Sequence, residues 1–239
     1  MYLVLAMGSE LIKGFSGIDA LALFWFALCW LGYSVYSSKM SRRRTCLSSV
    51  LAAHREAWVL GLLKRDNRVG DAALLGNLER NVSFFASSTL LVLAGLVAAL
   101  GSGEDIVAVT DNLPFTMAVS EHGWETKLLL LSVVFVYAFF KFSWSLRQYG
   151  FASVLMGRAP AHSELDEAAA LRFSTHAAQV ISRAAQAFNL GLRAYYFSLA
   201  YLLWFLNPWI FMLASAVVVG VLYRREFRSR VLGALSALA

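Results

Sequence analysis

The sequence predicts an all-α fold: a polytopic membrane helical bundle of about five spans, with long helices extending into the cytoplasm. Three observations carry this expectation. Of the 239 residues, 59% are hydrophobic and only 15% charged, at a mean hydropathy of +0.62, against about 25% charged in soluble domains. The apolar residues come in runs long enough to cross a bilayer core, which takes about 20 residues of helix. The net charge of +6 gathers as Lys and Arg at the ends of those runs. That is the positive-inside pattern of a membrane chain rather than the basic stripe of a nucleic-acid binder. The expected partner is therefore the lipid bilayer, and no nucleic acid.

Residues 1–17 lack the basic n-region and small-residue cleavage site of a signal peptide, and read as an interfacial lead-in to one membrane domain over 18–235. The first span is about 18–36, with Asp19 at its outer mouth. Lys39, Arg42, Arg43 and Arg44 follow at once. They keep that end in the cytoplasm and place the amino terminus outside. Residues 45–70 then set Leu47, Val50, Leu51, Trp58, Leu62 and Leu63 at helical spacing among His54, Arg55, Lys64, Arg65 and Arg68. This reads as an amphipathic cytoplasmic helix, either lying on the membrane or packed against another helix.

From 71 to 100 there is no Pro and no turn cluster, so one helix is expected throughout. Its second half, about 82–100, is an outward span. At 3.6 residues per turn, Asn77, Arg80, Asn81, Phe84, Ser87, Ser88 and Leu91 share one broad face. The loop that follows carries Glu104, Asp105, Asp111, Glu121 and Glu125 and no Lys or Arg before 127, with turns at Asp111-Asn112 and Pro114. Such a loop is free to lie outside. Span three, about 127–146, returns inward with Lys141 near its cytoplasmic end, where the ammonium either snorkels to the interface or faces the bundle interior.

A second cytoplasmic helix is expected over about 163–188, with Ser163 as its N-cap and Glu164, Asp166 and Glu167 in its first turn. No strong breaker follows before Leu206, so it runs on into the membrane. The apolar stretch 195–223 is overlong for one span, about 43 Å against a core of about 30 Å. Asn207-Pro208 divides it, flanked by Trp204 and Trp209 as interface anchors. Spans four (about 189–206) and five (about 208–223) result, and Arg224, Arg225, Arg228 and Arg230 hold the carboxyl terminus inside.

The strings HREAW (His54–Trp58), NLERNVSFFASST (Asn77–Thr89), STHAAQVISRAAQAFNLGLRAYYF (Ser174–Phe197) and NPWIFM, followed by YRREFRSR, resemble the bacterial and plant membrane family catalogued as domain of unknown function 599. The resemblance covers about 18–230. It implies a bacterial inner-membrane location but carries no reaction, substrate or catalytic residue. Within the chain, Asn77-Leu78…Arg80…Phe84-Phe85 and Asn189-Leu190…Arg193…Tyr196-Phe197 are alike, which fits either a repeated helical hairpin or convergence on a snorkelling arginine.

Catalytic groups are not evident. The histidines are scattered, the two cysteines form no CxxC, and no span interior holds a carboxylate or histidine beyond Asp19. No catalytic residue, metal or cofactor is assigned, and an enzyme is not expected. The candidate site is the polar row of Asn77, Arg80, Asn81, Phe84, Ser87 and Ser88, with Lys141 and Arg193 as cations at the cytoplasmic mouth. The row lines a hydrated path or packs against another helix, since polar groups facing lipid cost several kcal/mol each. Three roles follow: a small oligomeric channel or transporter, an accessory or scaffold subunit of a membrane complex docking a partner through the cytoplasmic helices, or a lipid-acting enzyme. A homo-oligomer is expected for the first, because five spans are few for a monomeric transporter.

Overall fold

The computed structural model describes residues 16–41, 43–101, 121–161 and 166–238. Most of the 1–17 lead-in, Arg42, the loop residues Glu104, Asp105, Asp111 and Pro114, and the Ser163-Glu164 helix start lie outside the described residues. The rest is helical: α1 (Gly17–Met40), α2 (Leu47–Leu63), α3 (Val69–Leu100), α4 (Glu121–Gly157), α5 (Glu167–Leu202), a 3-10 turn (Leu203–Phe205), α6 (Pro208–Phe227) and α7 (Arg230–Ser236). Helices α1, α3 and α4 are long and apolar enough to cross a membrane. The chain is an all-helical, membrane-associated protein.

Local chemistry sets the helix ends. Helix α3 is unbroken over 32 residues, about 48 Å, as the absence of breakers predicts. The amphipathic helix expected over 45–70 is shorter, because Asp66-Asn67 makes a turn. There Asn67 Oδ1 accepts from the Val69 amide at 3.0 Å and starts the next helix. Helix α5 begins at Glu167, with the Asp166 carboxylate as its cap, accepting from the Ala169 amide at 2.5 Å. It runs 36 residues to the expected Asn207-Pro208 break. Pro208 has no N–H for the Trp204 carbonyl four residues back, so the last turn tightens to 3-10. Asn207 Oδ1 then caps α6 through the Trp209 amide at 2.8 Å.

The chain divides into two compact units. Unit 1 comprises Met1–Tyr36, Thr89–Ala138 and Arg193–Val221, and its core is aromatic. Phe26 meets Phe197, Tyr201 and Phe211 at centroid distances of 5.8, 5.5 and 5.2 Å, and Trp204 stacks on Phe211 at 5.2 Å. These rings are the largest apolar surfaces available, and edge-to-face pairs add about 0.5–1.5 kcal/mol each beyond area burial.

Unit 2 comprises Ser37–Ser88, Phe139–Leu192 and Leu222–Ala239. Here α5 turns Ala177, Ala178, Ile181, Ala184 and Ala185 inward, a small-residue face that lets helices approach closely. Ser145 Oγ on α4 donates to the Ala184 carbonyl at 2.7 Å. A Cβ at Gly191 would lie 2.5 Å from Phe142 Cε1, so only glycine admits that ring. Helix α2 is held on several sides: Arg55 reaches Ser182 at 3.5 Å, and Thr175 Oγ1 donates to Glu56. Trp58 Nε1 donates to Asp71 at 2.7 Å. Its first turn is capped by Glu226, which accepts from the Ser48 amide at 3.2 Å. The stretches of unit 2 carry 18 of the 21 Lys and Arg and 8 of the 15 Asp and Glu, whereas those of unit 1 carry 3 and 7.

Candidate functional site

In unit 2, α3 has two unlike faces. Asp71, Leu75 and Val82 are buried, with Leu78 and Phe85 half-buried between them, a 4-3-4-3 spacing that makes one narrow packing stripe. Phe85 joins Phe142 and Phe188 at 5.5 Å each, and Asp71 is met by Trp58 and by Arg65 at 2.5 Å. The polar row lies on the other face: Asn77, Arg80, Asn81, Phe84 and Ser87 are exposed and Ser88 is half-buried. Phe84 is 68% exposed, although it adjoins the packed Phe85. The row therefore turns away from the core of its own unit. Arg80 donates to Asn77 Oδ1 one turn back, and neighbouring Glu79 is drawn aside to accept from Ser153 Oγ at 2.6 Å.

The two flanking cations have different surroundings. Lys141, in unit 2, is half-buried on α4. Arg193, in unit 1, is half-buried with its guanidinium 5.2 Å from the Tyr33 ring centre, a cation–π contact.

A polar knot in unit 1 escaped the sequence reading. Lys127, on α4, is only 3% exposed and lies 3.3 Å from Asp19 Oδ1 of α1, itself 13% exposed. Trp204 Nε1 donates to the same oxygen at 2.7 Å. Ser16 Oγ donates to the other carboxylate oxygen at 2.7 Å. The Lys127 ammonium also donates to the Trp204 carbonyl at 3.3 Å, to which Pro208, four residues on, has no N–H to offer. Tyr201 Oη closes the knot on the Lys127 carbonyl at 2.9 Å. A cation at a helix C-terminus is favoured by the helix dipole, and here it joins α1, α4 and the end of α5. The available signal was that Asp19 and Lys127 each open a long apolar run.

Chemically, the row on α3 offers amide, guanidinium and hydroxyl groups to whatever faces it, while the knot is a satisfied ion pair. Among the described residues, no three His, Cys, Asp or Glu come together to hold a metal ion. Residues 21–231 match the model of a family described as protein of unknown function, DUF599. No curated protein and no solved structure matches the chain.

Proposed function

Since the chain belongs to the DUF599 family, described as of unknown function, and has helices long and apolar enough to cross a membrane, we propose that it is a small oligomeric channel or transporter of the bacterial inner membrane that passes a small anion. One observation carries this reading: a helix long enough to span the membrane holds its polar row away from its own core. Lipid is a poor neighbour for such groups, at several kcal/mol for each unsatisfied one, and water along a path between copies satisfies them. Asn77, Arg80 and Asn81 then form a basic cytoplasmic mouth, Phe84 an apolar constriction that gates by dewetting, and Ser87 and Ser88 a hydrated segment beyond it. Lys141 and Arg193 supply further positive charge near the cytoplasmic ends of spans three and four.

The five-span topology, amino terminus outside and carboxyl terminus inside, draws support from two features. Asp19, Lys127 and Trp204 each sit where that topology puts an outer helix end, and they meet within 3.3 Å. The excess of Lys and Arg in unit 2 suits a cytoplasmic side. A scaffold working through α2 is less well supported, because Leu62 is buried and Trp58 is committed to Asp71 within the chain itself.

The test is flux in proteoliposomes, with chloride and potassium as probes. Chloride flux is expected, reduced at least tenfold by Ser87→Leu and raised by Phe84→Ala, with helicity unchanged by circular dichroism. Flux that neither substitution alters would remove the α3 row from the path.

A further inference from the structure

We propose that Arg55, Tyr149 and Ser182 form a binding site for a phosphate group, carried by a lipid headgroup or free in solution. The three side chains come from three helices of unit 2, α2, α4 and α5, and none belongs to the row on α3. Arg55 is half-buried, and its guanidinium reaches Ser182 Oγ at 3.5 Å, the outer limit of a hydrogen bond. Among the described residues no Asp or Glu forms an ion pair with it. Glu56, the next residue, accepts from Thr175 instead. The group that acts on Arg55 electrostatically is the phenol of Tyr149, whose ring is buried.

Each of these groups is a donor short of an acceptor. The guanidinium carries five N–H groups and stays charged, and one long contact occupies only one of them. Burial holds Arg55 below the ordinary arginine pKa and Tyr149 above the ordinary tyrosine value, each partly offset by attraction to the other. The phenol is therefore protonated at neutral pH and able to donate, and it has no hydrogen-bond partner among the described residues. Trp124 Nε1 is the only sealed, unpartnered side-chain polar atom among those residues, so Tyr149 Oη, though on a buried ring, is open to an incoming group. Ser182 Oγ accepts from Arg55 and keeps its own proton to give. A partly desolvated cation without a counter-charge is costly, and an anion set among the three helices offsets that cost. The donor set selects phosphate over carboxylate. The guanidinium fork takes two oxygens of either, which uses up a carboxylate but leaves a phosphate two more for the phenol and the hydroxyl.

The experiment is equilibrium binding of radiolabelled inorganic phosphate and, separately, of dioctanoyl phosphatidic acid to the full chain in an uncharged detergent at fixed ionic strength. Saturable binding of one molecule per chain is expected for at least one probe. Arg55→Gln is expected to weaken it at least tenfold, and Tyr149→Phe and Ser182→Ala by about fivefold each, with helicity unchanged. Arg172→Gln removes the same charge from an exposed position of α5 and is expected to stay within about twofold of the parent. Tighter binding of phosphatidic acid assigns the phosphate to a lipid headgroup, and inorganic phosphate binding as tightly or more so assigns it to a free ion. Where Arg55→Gln does not fold, the two variants that remove a single hydroxyl decide. No saturable binding of either probe, or equal losses in Arg55→Gln and Arg172→Gln, would overturn the proposal, as would full affinity in both hydroxyl variants.

Discussion

Replacing Lys127 with methionine removes the cation from the knot in unit 1 while keeping most of its volume. Two groups then lose their partner. The Asp19 carboxylate, 13% exposed, loses its counter-charge, and breaking a buried pair from one side costs about 3–5 kcal/mol. Asp19 keeps the Trp204 indole and the Ser16 hydroxyl, each at 2.7 Å, which places the cost near the lower end, about 3 kcal/mol. The loss of the Lys127 hydrogen bond to the Trp204 carbonyl adds about 1 kcal/mol. The expected loss of about 4 kcal/mol is close to a thousandfold in the folding equilibrium. Reversible SDS titration in mixed micelles, followed by far-ultraviolet circular dichroism, measures it. In the double variant with Asp19→Asn no unpaired charge remains, so the two effects are expected to fall short of their sum by about 2 kcal/mol or more. A Lys127→Met chain within about 0.5 kcal/mol of the parent, or strict additivity in the double variant, would refute the ion-pair account.

Three further outcomes follow from unit 2. Gly191→Ala drives a methyl into the Phe142 ring, costs about 1–3 kcal/mol in the same titration, and is partly relieved by Phe142→Leu. Trp58→Phe takes the indole donor from buried Asp71, costs about 1–2 kcal/mol, and speeds hydrogen exchange at the α2–α3 turn. Glu226→Ala uncaps α2 at Ser48 and raises exchange in residues 47–50 by about fivefold, equivalent to roughly 1 kcal/mol, while leaving that of α4 unchanged.

Much of the fold was legible because membrane chains advertise their helices. The unbroken α3, the long α5 and the Asn207-Pro208 break each follow from where Gly, Pro and Asn do or do not fall. The end of α2 was harder to read, because Asp66-Asn67 sits among helix-tolerant charges and the turn depends on one side-chain contact to Val69. Asp166 caps α5 at the Ala169 amide, a role the sequence left open among several acids within one turn. For the candidate site, periodicity identified which residues share a face but not which way the face turns. Phe84 and Phe85 are adjacent and alike in sequence, yet only Phe85 finds Phe142 and Phe188. The Asp19–Lys127 pair was invisible for a related reason. Two charges 108 positions apart acquire meaning only when their helices pack.

The central claim is that the row on α3 borders water, and thiol accessibility tests it most directly. In a chain lacking Cys29 and Cys46, single cysteines at 81, 84, 87, 88 and 91 are exposed to a membrane-impermeant thiol reagent in vesicles of known orientation. The account predicts rapid labelling at 81, 87 and 88, slower labelling at the constriction, position 84, and competition at 88 by a permeating anion. Protection at all five positions would contradict it and make the row a dry contact between helices.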